Sequence, residues 1–136
     1  MENDVCLAKI TPCFENGKST VFKGLLNGVG AGTTELHIFR QAPKLILPEY
    51  VLIFFKCPKF LNDAKEKMMG TAGQKRVPRD FVRFVPFPLP SISEQKRIVA
   101  KVDQLMHLCD ELETRLSQSK KDSEMLMQAV LHEAFS

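Results

Sequence analysis

The sequence predicts an α+β protein, a small mixed α/β domain followed by one long C-terminal α-helix of coiled-coil type. Three observations carry this prediction. Short apolar runs punctuated by turn residues fill the first forty positions, and an apolar segment and an amphipathic one, each opened by Pro, occupy residues 48–69. From Ile98, apolar residues then recur at alternating steps of four and three as far as Val130, with no Gly or Pro in between. A chain of 136 residues, 44% hydrophobic and 26% charged, fits one domain with an appendage and excludes a two-domain enzyme. No apolar run approaches the roughly 18 residues that would span a bilayer, and Met1 to Ile10 carries acidic residues where a signal peptide would carry basic ones. A cytoplasmic protein without membrane contact is expected.

From Asp4 to Ile10, Val5, Leu7 and Ile10 with Cys6 and Ala8 between them read as a short, buried strand ended by Thr11-Pro12. Glu15-Asn16-Gly17-Lys18 is a turn signal in which Asn-Gly supplies positive φ, so Ser19 to Phe22 pairs back as a hairpin. Gly24, Gly28, Gly30 and Gly32 invite a nucleotide-loop reading. Thr33 stands where the Walker pattern needs Lys and the dinucleotide pattern a third Gly, and Thr33 to Phe39 reads as a strand, which leaves a permissive loop beside a sheet. Glu49 to Lys56 is apolar all round, and only Pro48 at its start favours a short buried helix over a strand; Pro58 starts an amphipathic helix to about Met69, broken by Gly70-Thr71-Ala72-Gly73. Gln74 to Phe81 is a polar, basic loop running into a single helical turn after Pro78. Phe84 to Pro90, with Pro at alternate positions, must be extended, as an edge strand or a stiff connector. It divides the chain into a domain of residues 1–90 and a helix of residues 91–136, which Ser91-Ile92-Ser93-Glu94 opens with capping-box spacing.

The charge divides at the same place. The first 90 residues hold 13 Lys and Arg against 8 Asp and Glu, and the remainder 6 against 8. Lys65 to Arg83 alone carries six basic residues and two acidic ones, a local excess that suits a phosphate backbone or simply a solvated face. Cys6, Cys13, Cys57 and Cys109 form no CxxC pair and read as reduced, mostly buried thiols, while His37, His107 and His132 are scattered. No metal site, catalytic constellation or cofactor is therefore expected.

A helix of about 45 residues is roughly 67 Å long, against a radius of gyration of about 14 Å for a compact chain of this length, so its own domain cannot cover it. The seam runs through Ile98, Val102, Leu105, Cys109, Leu112, Leu116, Ser119, Ser123, Leu126 and Val130, widened by Val99, Met106 and Met127. Either a partner helix covers this seam or a break within Ser117 to Ser123 folds the segment into a hairpin.

Pro86-Phe87-Pro88-Leu89-Pro90-Ser91-Ile92-Ser93-Glu94-Gln95-Lys96-Arg97-Ile98-Val99 resembles the junction between a target-recognition domain and a coiled-coil spacer helix in the DNA-specificity subunits of type I restriction-modification systems. Gly70 to Pro78, Ala8 to Lys18 and Gly32 to His37 resemble that family as well, so the likeness covers nearly the whole chain. It implies part of a target-recognition domain that docks on double-stranded DNA, and a helix that packs antiparallel on a second spacer helix. Catalysis would reside in the methyltransferase and restriction subunits of the complex, consistent with the lack of an Asn-Pro-Pro or Asp-Pro-Pro motif here. Family members carry two recognition domains and two spacers, so one spacer and part of one domain suggest a C-terminal fragment.

The resemblance makes Lys9, Asn16, Lys18, Thr33, Thr34, Gln74, Lys75, Arg76 and Arg79 the candidate DNA contacts. Lys75, Arg76 and Arg79 would hold phosphates, and Gln74 and Asn16 could read base edges, since both side chains suit bidentate contact with adenine. For each, the alternative is an exposed polar loop residue. Ile98, Val102, Leu105, Cys109, Leu112, Leu116, Leu126 and Val130 are the candidate interface, through which the isolated chain would form an antiparallel homodimer. The competing reading is a truncated assembly piece that pairs through the helix without useful DNA binding. A free-standing methyltransferase or nuclease has no motif to stand on.

Overall fold

The computed structural model of the protein describes residues 1–40, 45–71 and 73–135, and the fold is mixed α+β. Three strands, β1 (Val5–Ala8), β2 (Ser19–Val21) and β3 (Leu36–Phe39), form one antiparallel sheet in the order β2-β1-β3. Val5 faces Val21 on one side and Phe39 on the other, which sets the register. Every residue of β1 is buried because the strand is central, paired on both edges and covered by α1 (Pro48–Lys56). Pro at the first position of α1 and again of α2 (Pro58–Lys67) supplies a preset φ where the amide has no helical partner to lose.

Phenylalanines join the sheet to the helices. The Phe60 ring, 2% exposed, packs within 5.1 to 6.4 Å, centroid to centroid, of Phe54, Phe55, Phe81 and Phe14, and Phe55 sits 4.7 Å from Phe39 on β3. Val5, Leu7, Ala64, Val77 and Val82 complete this core. α3 (Arg79–Phe84) follows Pro78, longer than the single turn expected, and buries Val82 against it. Residues 85–90 are the stiff connector of the two alternatives. The Tyr50 hydroxyl donates to Pro88 O at 3.2 Å, and the Phe87 ring lies edge-on to Tyr50 and Phe54.

α4 (Ile92–Phe135) runs without a break through Ser117–Ser123, which removes the hairpin alternative. Ser91 Oγ accepts the Glu94 amide at 3.3 Å, but the Glu94 carboxylate turns forward to Arg97 at 2.7 Å, so the capping box is half made. Gln95 is fully buried. Its Oε1 accepts the Leu47 amide, and its Nε2 donates to Leu45 O and Pro90 O, all within 3.0 Å. Residues Met1–Val99 and Ala100–Ser136 form two compact units, and every residue from Asp103 to Phe135 is exposed. Among the described residues no helix is long and apolar enough to cross a membrane.

Several local expectations change. β3 begins at Leu36, not Thr33, because Thr33 Oγ1 accepts the Glu35 amide and holds the preceding residues in a turn. β1 ends at Ala8, and residues 9–18 form a long connection in which Gly17 alone takes positive φ, so Asn16-Gly17 does not make a two-residue turn. α2 ends at Lys67. Only Cys6 is buried: Cys13 is half-buried, Cys57 is exposed at the α1–α2 junction, and Cys109 is exposed on α4. Ala72 of the expected break and Ser136 lie outside the described residues.

Candidate nucleic-acid interface

Beyond Ala8 the chain leaves the sheet but keeps its neighbours. The Lys9 amide donates to Glu35 O, and Lys9 O accepts the Val77 amide at 2.8 Å. Two residues on, Thr11 and Lys75 exchange bonds, the Thr11 amide to Lys75 O at 3.0 Å and the Lys75 amide to Thr11 Oγ1 at 3.2 Å. Residues 75–77 therefore continue along residues 9–11 the pairing that β3 makes with β1. On its far side the same segment closes a hairpin: Met69 and Arg76 exchange both backbone bonds, at 3.0 and 2.8 Å.

The hairpin between them is tight. Gly70 has φ +130°, and a Cβ there would lie 2.6 Å from Gln74 O, so only glycine lets the strand fold back so closely. The Gln74 amide donates to Thr71 O, and Gln74 and Lys75 present exposed side chains.

Arg76 is half-buried at the base of this hairpin. Its Nε and Nη2 lie 2.9 Å from the Glu35 carboxylate, and its Nη1 donates to Gln74 O at 3.0 Å. This hydrogen-bonded guanidinium holds the Glu35 carboxyl below its usual range, with a smaller contribution from the charge of Lys9. Arg76 is thus engaged within the protein, whereas Lys75 and Arg79, the latter opening α3, are exposed.

The structure brings Lys9, Gln74, Lys75 and Arg76 into one group at the end of the sheet, with Thr33 next to it through Glu35. Lys18 is exposed, its carbonyl accepting the Ala8 amide, and Thr34 is exposed beside Thr33. Asn16 is exposed in the turn of residues 12–17, where its amide bonds Pro12 O. The glycine-rich residues 29–32 line an open cleft of about 360 Å³ with Asp4 and Arg40, apart from the hairpin residues. Glu35 and Thr11 were not among the expected site residues. Glu35 meets Arg76 across 41 positions, and no local pattern marks such a pair.

Along α4, Ile98 and Val102 are half-buried, and Leu105, Cys109, Leu112, Leu116, Leu126 and Val130 are exposed. Ser119 and Ser123 are joined within the helix, Ser123 Oγ donating to Ser119 O. No group of three metal-ligating side chains occurs among the described residues.

The chain is 48% identical, over 94% of its length, to the type I restriction enzyme EcoAI specificity subunit of Escherichia coli. It is 46% identical, over 96% of its length, to the EcoEI specificity subunit of the same species. This chain is homologous to a segment of the type I restriction specificity subunits. It spans 22% of the length of those two relatives. The EcoKI specificity subunit is 33% identical over 65% of the chain. No family model and no solved structure matches.

Proposed function

We propose that this chain is a DNA sequence-recognition component of a type I restriction-modification complex and is itself non-catalytic. Residues 1–90 dock on double-stranded DNA, and the helix of residues 91–136 pairs with a second spacer helix or a second copy. Methylation and cleavage reside in methyltransferase and restriction subunits. The single observation that supports this reading most is the 46–48% identity to specificity subunits over nearly the whole chain.

The basic end of the sheet is the proposed contact surface. Lys75 and Arg79 hold phosphates and fix the register, while Gln74 offers an amide to a base edge. Lys9, Lys18, Thr33 and Thr34 line the approach, with Asn16 a second amide. Because Arg76 is bonded to Glu35 and Gln74 O, its first role is internal.

The test is a titration of labelled duplex at several salt concentrations. Phosphate contacts give a linear fall of log affinity with log salt, by about 0.9 per phosphate, so Lys75→Ala with Arg79→Ala should shallow the slope by roughly 2 while leaving the melting curve in place. A parent chain that binds no duplex at low salt would refute the recognition role and leave a pairing piece.

A further inference from the structure

We propose that Glu35 is a positioning residue for recognition: through Arg76 it fixes the 69–76 hairpin, and so decides which duplex sequence is selected without touching DNA itself. The inference rests on the recognition role above and adds a residue to it. Three observations carry it. The guanidinium of Arg76 meets Glu35 through two nitrogens and Gln74 O through the third, so one side chain ties the start of β3 to the rising limb of the hairpin. The backbone pairs Met69–Arg76 and Thr11–Lys75 hold the base of the hairpin, but Gln74 stands beyond both of them. The peptide that joins Gln74 to Lys75 is held from both sides, its N–H on Thr11 Oγ1 and its C=O on Arg76 Nη1, so the Arg76–Glu35 pair supplies the second of the two ties that refer Gln74 to the sheet.

Geometry of that kind matters for selectivity more than for affinity. A bidentate amide–base contact loses its discrimination when the amide is displaced, whereas a phosphate contact by a long Lys side chain tolerates the same displacement. Freeing Arg76 also adds a cation to the surface, so bulk affinity for duplex does not fall with the loss of selectivity.

The experiment selects from a randomised duplex pool with the full chain, then sequences the bound fraction. Three proteins are compared at one salt concentration: the parent, Glu35→Ala and Glu35→Gln. The expected result is that Glu35→Ala loses the preferred sequence by at least about tenfold in enrichment while bulk duplex affinity changes by less than about threefold. Glu35→Gln, which keeps one acceptor, should lie between. A parental preference retained in Glu35→Ala overturns the inference, the melting curve of each variant showing that it is folded. A parent chain that binds no duplex fails the recognition role instead, which keeps the two failures distinct.

Discussion

Two buried polar residues set the behaviour of the domain at the scale of single side chains. Gln95 has no exposed surface, and three backbone groups, Leu47 N–H, Leu45 O and Pro90 O, depend on it. Gln95→Leu keeps the volume and removes all three partners, so a loss of about 2 to 4 kcal/mol in urea unfolding is expected, the cost of stranding buried backbone groups. Asp4, 2% exposed, receives Arg40 Nε and Nη2 at 3.0 and 2.8 Å, and that guanidinium lowers its pKa to about 2 against the opposing effect of burial. A depressed carboxylate pKa stabilises the fold fully above the unfolded value near 3.8 and ceases to as pH falls toward 2. Melting temperature should therefore drop across that interval, and Asp4→Asn should lower it at neutral pH and flatten the drop. Neither residue was legible in the sequence. Arg40, Leu45 and Leu47 lie 36 to 50 positions from the residues they meet, and a lone Gln or Asp carries no sign of such a partner.

At the scale of elements, legibility followed locality. α1, α2 and α4 were readable because proline starts and apolar spacing are properties of neighbouring residues, and the strands were readable as short apolar runs near turn signals. The 69–76 hairpin was not, because Gly70 to Gly73 reads only as a break and Gln74 onward as a polar loop, and its return is defined by Met69 meeting Arg76 and by Thr11 meeting Lys75. The seam of α4 carries its own prediction. Leu105, Leu112, Leu116, Leu126 and Val130 are each about half exposed or more, and apolar surface left in water costs about 25 cal/mol per Å². Pairing with a second helix removes that cost, and an antiparallel arrangement sets the Ser119 and Ser123 layer, already bonded within its own helix, against apolar residues of the partner. Leu105→Asp with Leu112→Asp should convert a dimer to a monomer in sedimentation. A parent chain that sediments as a monomer at tens of micromolar would refute self-pairing.

Across the whole molecule, the first unit extends to Val99 and includes the opening turns of α4. Removing residues 105–136 should leave its melting temperature within a few degrees, whereas ending the chain at Pro90 deletes Gln95 and should lower it by about 10 °C or more, as thermal melts of the two truncations would show. The mixed fold and the long helix were legible at this scale. The sheet order was not, since β3 joins β1 across the whole β2 excursion. The one aromatic hydroxyl has an optical consequence. The chain has ten phenylalanines, one tyrosine and no tryptophan, so absorption at wavelengths beyond the phenylalanine bands, and the emission excited there, come from Tyr50. That chromophore sits where the proline connector rests on α1, its hydroxyl on Pro88 O and its ring against Phe87. Its signal reports the undocking of a single six-residue strap.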